Sequence, residues 1–179
     1  MTVARVIVVR HAKSDYPGGV SDHDRPLNDR GRRDAPAAGR WLEENVVWPD
    51  GAAPLVLVSS AHRAQLTWSL AREALSDRWR EAAVRDDPRI YEADVSALRA
   101  LLVEAAPDAT PPATILLVGH NPGLAGLIDE LALSEPATWE ATAKFPTSAI
   151  AVLASGLPLE QALAHDHGFR VSAFAVPRG

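Results

Sequence analysis

The 179-residue chain contains no cysteine. That removes disulfides, thiolate metal centres and cysteine nucleophiles together. Lysine is almost missing as well: Lys13 and Lys144 are the only two, so nearly every cationic side chain is an arginine. Positive charge is in deficit, with 18 Lys and Arg against 23 Asp and Glu, a net charge of −5. Such a balance argues against nucleic acid or an acidic membrane surface as partner. No apolar run approaches the roughly 20 residues of a membrane span. The opening MTVARVIVVRHAKS is interrupted too early by charge to act as a signal peptide. A cytoplasmic protein is the simplest expectation. Internal repeats and low-complexity blocks are absent. So are Gly-x-Ser-x-Gly, a Walker A loop and Gly-x-Gly-x-x-Gly, which removes the hydrolase elbow, the nucleotide loop and the dinucleotide fold. What is present is an ordinary globular mix, 47% hydrophobic and 23% charged. One domain spanning 1–179 is expected, large enough to bury about 70% of its unfolded surface without staples.

Strand and helix signals alternate. Val3–Val9 is a β-branched run that reads as a buried strand. The polar DYPGGVSDHDR stretch, Asp15–Arg25, is a loop. Asn28 and Asp29 are good N-caps for a helix reaching about Val46, with helical spacing through Ala35, Ala38, Trp41 and Leu42. A turn is expected at Trp48-Pro49-Asp50-Gly51, and a second apolar strand at Leu55–Val58 stops at Ser59. A helix over about His62–Ser76 presents Leu66, Leu70 and Ala74 on one face. Val84–Asp86 is a candidate short strand, and Ser96 opens a helix to about Ala106. Thr114–Val118 is a third strong strand ending at Gly119, followed by a helix from Pro122 to about Leu133. Thr147–Ala154 and Phe169–Val176 read as the last two strands, the Leu157–Gly168 stretch joining them. The alternation predicts an α/β fold, a three-layer α/β/α sandwich with a mostly parallel central sheet and an antiparallel edge.

In such sheets ligands bind beyond the carboxyl ends of the strands. Three of those ends carry Arg10-His11, Ser59 to Arg63, and Gly119-His120-Asn121. Neighbouring strands would bring two histidines and two arginines to one edge. Guanidinium forks match phosphate oxygens two at a time, and a helix N-terminus near Arg63 adds N–H donors. The cluster suits a dianionic phosphoryl group. One histidine, kept neutral by flanking cations, serves as nucleophile. The second, if protonated, donates to a phosphoryl oxygen.

Arg10-His11-Ala12 resembles the Arg-His-Gly/Ala signature of the histidine phosphatase (phosphoglycerate mutase-like) superfamily. Ser59 to Thr67 (SSAHRAQLT) is similar to that family's strand-end Ser, Arg-Ala and Gln-Thr segment, and Gly119-His120-Asn121-Pro122 to its second-histidine motif. Within the superfamily the chain looks most like the small SixA-type phosphohistidine phosphatases. The short length, Lys13-Ser14, Asp24-Arg25-Pro26-Leu27 with Gly31, Tyr91-x-Ala93 and Phe145-Pro146-Thr147-Ser148-Ala149 carry that likeness. It runs in order over residues 3–155, and the Leu157–Gly168 connection has no counterpart in it. The resemblance implies that His11 is transiently phosphorylated and that Arg10, Arg63 and His120 form the phosphate pocket. Ser14 and Asn121 are further candidates to touch phosphate. No metal and no organic cofactor is implied. The implied substrate is phosphorylated, a phosphohistidine-bearing protein being the expected partner. Glu92 falls where larger relatives place the proton donor to the leaving group, with Asp22 and Asp24 as rivals and a solvated surface carboxylate as its alternative role.

Other readings of the same residues stand beside this one. A small-molecule phosphomonoesterase or a phosphoglycerate mutase-like enzyme would share the pocket, as would a phosphate-binding module without catalysis. A metal-dependent phosphatase built on Asp22-His23-Asp24 lacks the apolar strand that should precede its motif. His23 and His62 read as exposed. His165-Asp166-His167 reads as a polar loop rather than a metal pair, and Trp41, Trp48, Trp68, Trp79 and Trp139 read mostly as packing residues. Arg25 is expected to shape the pocket entrance or meet an acidic or phosphate-bearing partner.

Overall fold

The computed structural model describes residues 3–46, 54–108 and 114–179, so the turn expected at Trp48-Pro49-Asp50-Gly51 lies outside the described residues. Six strands form one sheet: β1 (Ala4–Arg10), β2 (Leu55–Ser59), β3 (Ala83–Asp87), β4 (Thr114–Gly119), β5 (Ile150–Ser155) and β6 (Arg170–Ala175). Their order across the sheet is β3-β2-β4-β1-β5-β6. The pairs β3/β2, β2/β4 and β4/β1 are parallel. The pairs β1/β5 and β5/β6 are antiparallel, which makes the expected antiparallel edge.

The pleat divides the core into two layers. Val6, Val8, Leu55, Leu57, Ile115, Leu117, Ala151 and Leu153 point to one face. There they meet α4 (Val95–Ala105), α5 (Gly123–Leu131), α6 (Pro136–Lys144) and α7 (Leu159–Ala164). Ile7, Val9, Val56, Val58, Leu116, Val118, Ile150 and Val152 point to the other face, against α1 (Asp29–Asn45), α2 (His62–Glu73) and the short α3 (Asp77–Arg80). The architecture is therefore the three-layer α/β/α sandwich that the strand–helix alternation predicts. Strands β1, β2 and β4 are buried on both faces, hence their unbroken apolar runs rather than alternating ones. No helix among the described residues is long and apolar enough to cross a membrane.

Several boundaries differ from the sequence reading. The helix expected to run to Ser76 stops at Glu73, and Ser76 instead precedes the separate α3. Its fully buried face is Ala64, Thr67, Trp68 and Ala71. Leu66 and Leu70 pack only partly, over Ala12, Leu27 and Ala35. The strand expected from Thr147 begins at Ile150, because Ser148 has a left-handed backbone (φ 65°) that no strand accommodates. Helix α6 had no sequence counterpart, and the Leu157–Gly168 connection contains α7, whose Leu159, Ala162 and Leu163 complete one core layer. Of the tryptophans, Trp68 and Trp79 are buried while Trp139 is exposed.

Helix α1 shows how this packing sets the site. Asn28 accepts from the Gly31 amide (2.9 Å) as its N-cap. A Cβ at Gly31 would lie 2.1 Å from the Lys13 carbonyl oxygen. Only glycine lets the first turn of α1 sit against the loop that follows β1.

Candidate active site

The parallel register aligns the strand ends. Arg10 pairs with Gly119, and Val58 with Val118. Because β4 lies between β1 and β2, residues 10–11, 59–63 and 119–121 gather at one sheet edge. The ring centroids of His11 and His120 are 5.1 Å apart.

His11 is only 7% exposed and is fixed from several sides. Its amide donates to the Gly119 carbonyl (3.1 Å), and its carbonyl accepts from the Ser148 amide (3.2 Å). The next residue, Ala12, donates its amide to Thr67 Oγ1 (2.9 Å), which itself donates to the Arg63 carbonyl (2.6 Å). The side chain settles its own tautomer. Nδ1 lies 2.7 Å from the Ala12 carbonyl oxygen. A carbonyl only accepts, so Nδ1 carries the hydrogen and Nε2 keeps its lone pair. Burial, with help from His120, Arg63 and Arg10, pushes the His11 imidazole down to about 3. Burial and Arg63 push His120 down to about 4. Both rings are therefore neutral at neutral pH. For His120 to donate as an imidazolium, an arriving phosphoryl dianion would have to raise its proton affinity.

His120 Nε2 lies 2.8 Å from Ser59 Oγ, while Nδ1 is buried with no partner. Arg10 donates from Nη1 to the Phe145 carbonyl (2.9 Å), and Asn121 Nδ2 donates to the same oxygen (2.9 Å). Arg10 Nε, Asn121 Oδ1 and Ser148 Oγ are likewise buried without partners. Buried polar atoms are rarely left unpaired. Four of them in segments meeting at one sheet edge mark a place built to receive a polar group.

The loop after β1 closes over this edge. Arg63 donates from Nη1 to the Asp22 carbonyl (2.6 Å) and from Nη2 to the Asp22 carboxylate (3.1 Å). The same carboxylate accepts from Arg25 Nη1 (2.7 Å) and the Tyr91 hydroxyl (2.8 Å). These donors, Arg25 first, hold Asp22 well below the usual carboxylate range, so it is a poor proton donor. Arg25 also donates to the Asp15 carbonyl (2.8 Å) and to Ser14 Oγ, and its guanidinium stacks 3.3 Å above Tyr16. It spans the loop from inside, buried, and is not free to meet a partner. Ser14, buried and engaged by Arg25, is likewise committed to the loop.

The remaining candidates fall as follows. Asp24 is exposed and bonded to Ser21 and His23. His62 is exposed as expected, but His23 is half-buried, with Nε2 2.9 Å from Ser60 Oγ and its ring edge-on to Tyr91. Glu92 is exposed, in a left-handed backbone (φ 57°). It lines a cleft of about 780 Å³ that runs from Arg63 and His120 outward. In the His165–His167 segment, His167 Nδ1–H donates to the Ala132 carbonyl (2.7 Å) and Asp166 pairs with Arg99. Among the described residues no group of three His, Asp or Glu side chains could hold a metal ion. Sequence reasoning gave no individual role to Thr67, to the Ser59 hydroxyl or to the Tyr91 hydroxyl. Only the motif segments containing them were a signal.

The depressed histidines make a direct prediction. The ring protons of His11 and His120 should show no titration between about pH 5.5 and 8 in an NMR series, whereas an ordinary histidine titrates near 6.5. In the unfolded chain both rings take up protons below about 6.5. Folding stability should therefore fall as pH drops from there toward the depressed native values. A midpoint near 6.5 for either ring would contradict the buried, neutral pair.

Comparison with known proteins agrees with this geometry. The family model described as histidine phosphatase superfamily (branch 1) matches residues 6–175. An uncharacterized protein of Mycobacterium leprae is 39% identical over 152 residues, covering 81% of this chain and 86% of that protein. An uncharacterized protein of Mycobacterium tuberculosis is 38% identical over 149 residues, covering 81% and 85%. Among solved structures, a protein of Nakamurella multipartitia provisionally named phosphohistidine phosphatase SixA superposes with a TM-score of 0.81 at 27% identity, covering 99% of this chain and 98% of that one. One from Agrobacterium tumefaciens with the same provisional name gives 0.73 at 26%, covering 97% and 98%.

Proposed function

The chain belongs to the histidine phosphatase superfamily, branch 1, and from that premise we propose that it is a phosphatase acting through a phosphohistidine on His11, with protein phosphohistidine as substrate. One observation carries the reading. The Nδ1–H of His11 is tied to the Ala12 carbonyl, which leaves the lone pair on Nε2, in a ring 5.1 Å from that of His120 and within the electrostatic reach of Arg63 and Arg10.

In the first step Nε2 attacks phosphorus. A P–N bond forms, the bond to the leaving atom breaks, and its electron pair departs with the leaving group. Arg10 and Arg63 hold the phosphoryl oxygens. When the Ser59 hydroxyl donates to His120 Nε2, the Nδ1–H of His120 is free to donate to a third oxygen. Water then attacks the phosphohistidine, releases phosphate and restores the neutral ring. The Ala12 carbonyl stabilises the imidazolium character that His11 gains while phosphorylated, as the orienting partner does in other histidine-assisted catalysts.

The leaving group argues for a P–N substrate. An alkoxide needs a proton as it departs, and a general acid contributes about 10²–10⁴-fold there. Asp22, the carboxylate that Arg63 holds, is clamped as an anion and is unsuited to supply it. Imidazole leaves as a neutral molecule once its far nitrogen is protonated, so phosphohistidine needs no such acid.

The test is to trap the intermediate. Rapid quench of the protein with a ³²P-phosphohistidine protein should leave acid-labile, alkali-stable label on a peptide containing His11. Turnover without label, or label elsewhere, would refute the mechanism. Faster hydrolysis of simple alkyl phosphates than of phosphohistidine would move the substrate to the small-molecule esters.

A further inference from the structure

The cleft that opens from the phosphoryl site has an uneven charge distribution. At its inner end stand Arg63, His120 and the Asp22 carboxylate, which Arg63 and Arg25 together engage. Its outer part is apolar along Val95, Pro122 and Ala125, and its charged groups there are Glu92 and Asp94. Asp94 caps α4 through one oxygen, which accepts from the Ala97 amide (2.8 Å) and Ser96 Oγ (2.8 Å). Those bonds keep it below the usual carboxylate range, hence anionic. Glu92 has no hydrogen bond or ion pair among the described residues. No cation among the described lining residues neutralises either carboxylate; Arg63, the cation present, is already engaged by Asp22.

The position of Glu92 is held from both sides. Tyr91 is tied through its hydroxyl to Asp22, and its ring stands edge-on to His120 at 5.7 Å. On the other side the Ala93 carbonyl oxygen lies where a Cβ on Gly123 would be only 2.4 Å away. A Cβ on Gly126 would come within 2.5 Å of Val95. Gly123 and Gly126 thus let α5 seat against this segment. Glu92 keeps its left-handed backbone between the two anchors, a cost the surrounding structure sustains.

We propose that Glu92, assisted by Asp94, makes the mouth of the cleft a charge filter. It admits phosphorylated substrates whose leaving group is neutral or cationic and disfavours those whose leaving group carries a carboxylate or a second phosphate. The inference rests on the phosphatase reading above and narrows its substrate class. A dipolar substrate suits the site: the phosphoryl dianion lies at the arginine end, and an N-phosphorylated side chain, protonated on a far nitrogen, lies at the carboxylate end. Glu92 stabilises that far proton by its charge. The P–N bond then breaks with its electron pair moving onto the imidazolium, which leaves as neutral imidazole. Glu92 thereby determines specificity and transfers no proton at the bond that breaks.

Three aryl phosphates test this: 4-methylphenyl, 4-(aminomethyl)phenyl and 4-(carboxymethyl)phenyl phosphate, the ammonium's acidifying effect on its phenol being common to wild type and variants and so cancelling when their ratios are compared. The wild-type kcat/KM should favour the aminomethyl ester over the carboxymethyl ester by about tenfold at low ionic strength, shrinking at high salt. Glu92→Lys should bring that ratio to one or below, and Asp94→Asn, which keeps the helix cap, should reduce it partially. Any ester turned over too slowly to follow reports the same ratio through its inhibition constant against phosphohistidine hydrolysis. A ratio unmoved by Glu92→Lys, or a wild-type ratio near one, at which the filter adds nothing to the ammonium's own effect, would overturn the filter. Equal losses on all three esters in Glu92→Gln would make Glu92 a proton donor and overturn it too. Failure of the parent reading looks different: no wild-type turnover of phosphohistidine or of any ester.

Discussion

Replacing His11 by alanine is expected to abolish turnover, with kcat/KM lower by at least about 10⁴-fold on every phosphorylated substrate. No neighbour can take its place. His120, the nearest ring, has Nε2 engaged by Ser59. Thr67 and Ser14 are held by backbone and Arg25. The fold should survive, because the bonds that hold position 11 are main-chain ones: its amide to Gly119 and its carbonyl from Ser148. Circular dichroism and thermal unfolding would verify that. The loss should appear in kcat and kcat/KM together, and the acid-labile label should vanish with it. A His11→Ala protein that keeps activity within about tenfold of wild type would end the phosphohistidine mechanism.

Arg63→Ala should produce the next largest effect, a loss in kcat/KM of about 10²–10³-fold, the usual size for removing one preorganised donor to a charged transition state. Arg63→Lys should fall between, since lysine keeps the charge but not the two-pronged fork. The structure adds a complication that the strand-end argument did not contain. Arg63 also holds the loop through the carbonyl and carboxylate of Asp22. Asp22 nevertheless keeps Arg25 and Tyr91 as partners when Arg63 is gone. Asp22→Asn loosens the loop's ionic hold on Arg63 while leaving the bond to the residue-22 carbonyl and the guanidinium itself in place. If Arg63 acts on the phosphoryl group, Asp22→Asn should cost far less than Arg63→Ala. Equal losses in the two variants would mean that Arg63 serves only to close the loop.

The elements that were legible and those that were not differ in a physical way. Strands β1, β2 and β4 are buried on both faces at their centres, so each carries an unbroken apolar run in sequence, Val6–Val9, Leu55–Val58 and Ile115–Val118. The α1 start was readable from Asn28, because an N-cap is a local hydrogen bond between residues three apart. Helix α6 was invisible because it buries only Thr138 and Ala141 and leaves Trp139 in solvent, so no apolar stripe marks it. Helix α7 is six residues long, too short for periodicity to register. The φ of 65° at Ser148, which delays β5, has no sequence signal, since serine gives no warning of a left-handed backbone.

The candidate site divides along the same line. Sequence alone determined which residues stand at the ends of apolar strands, and that two arginines and two histidines were among them: each strand's burial is written in its own few residues. Only the tertiary structure decided that β4 lies between β1 and β2, that His11 holds its hydrogen on Nδ1, and that Asp22 reaches Arg63 across 41 positions. It likewise decided that Glu92 is exposed and lines the cleft that also holds Arg63 and His120. Those features are hydrogen bonds, ion pairs and exposures between segments far apart in the chain. They exist only once strand order and loop closure have brought the partners together, and no local pattern of residues encodes them.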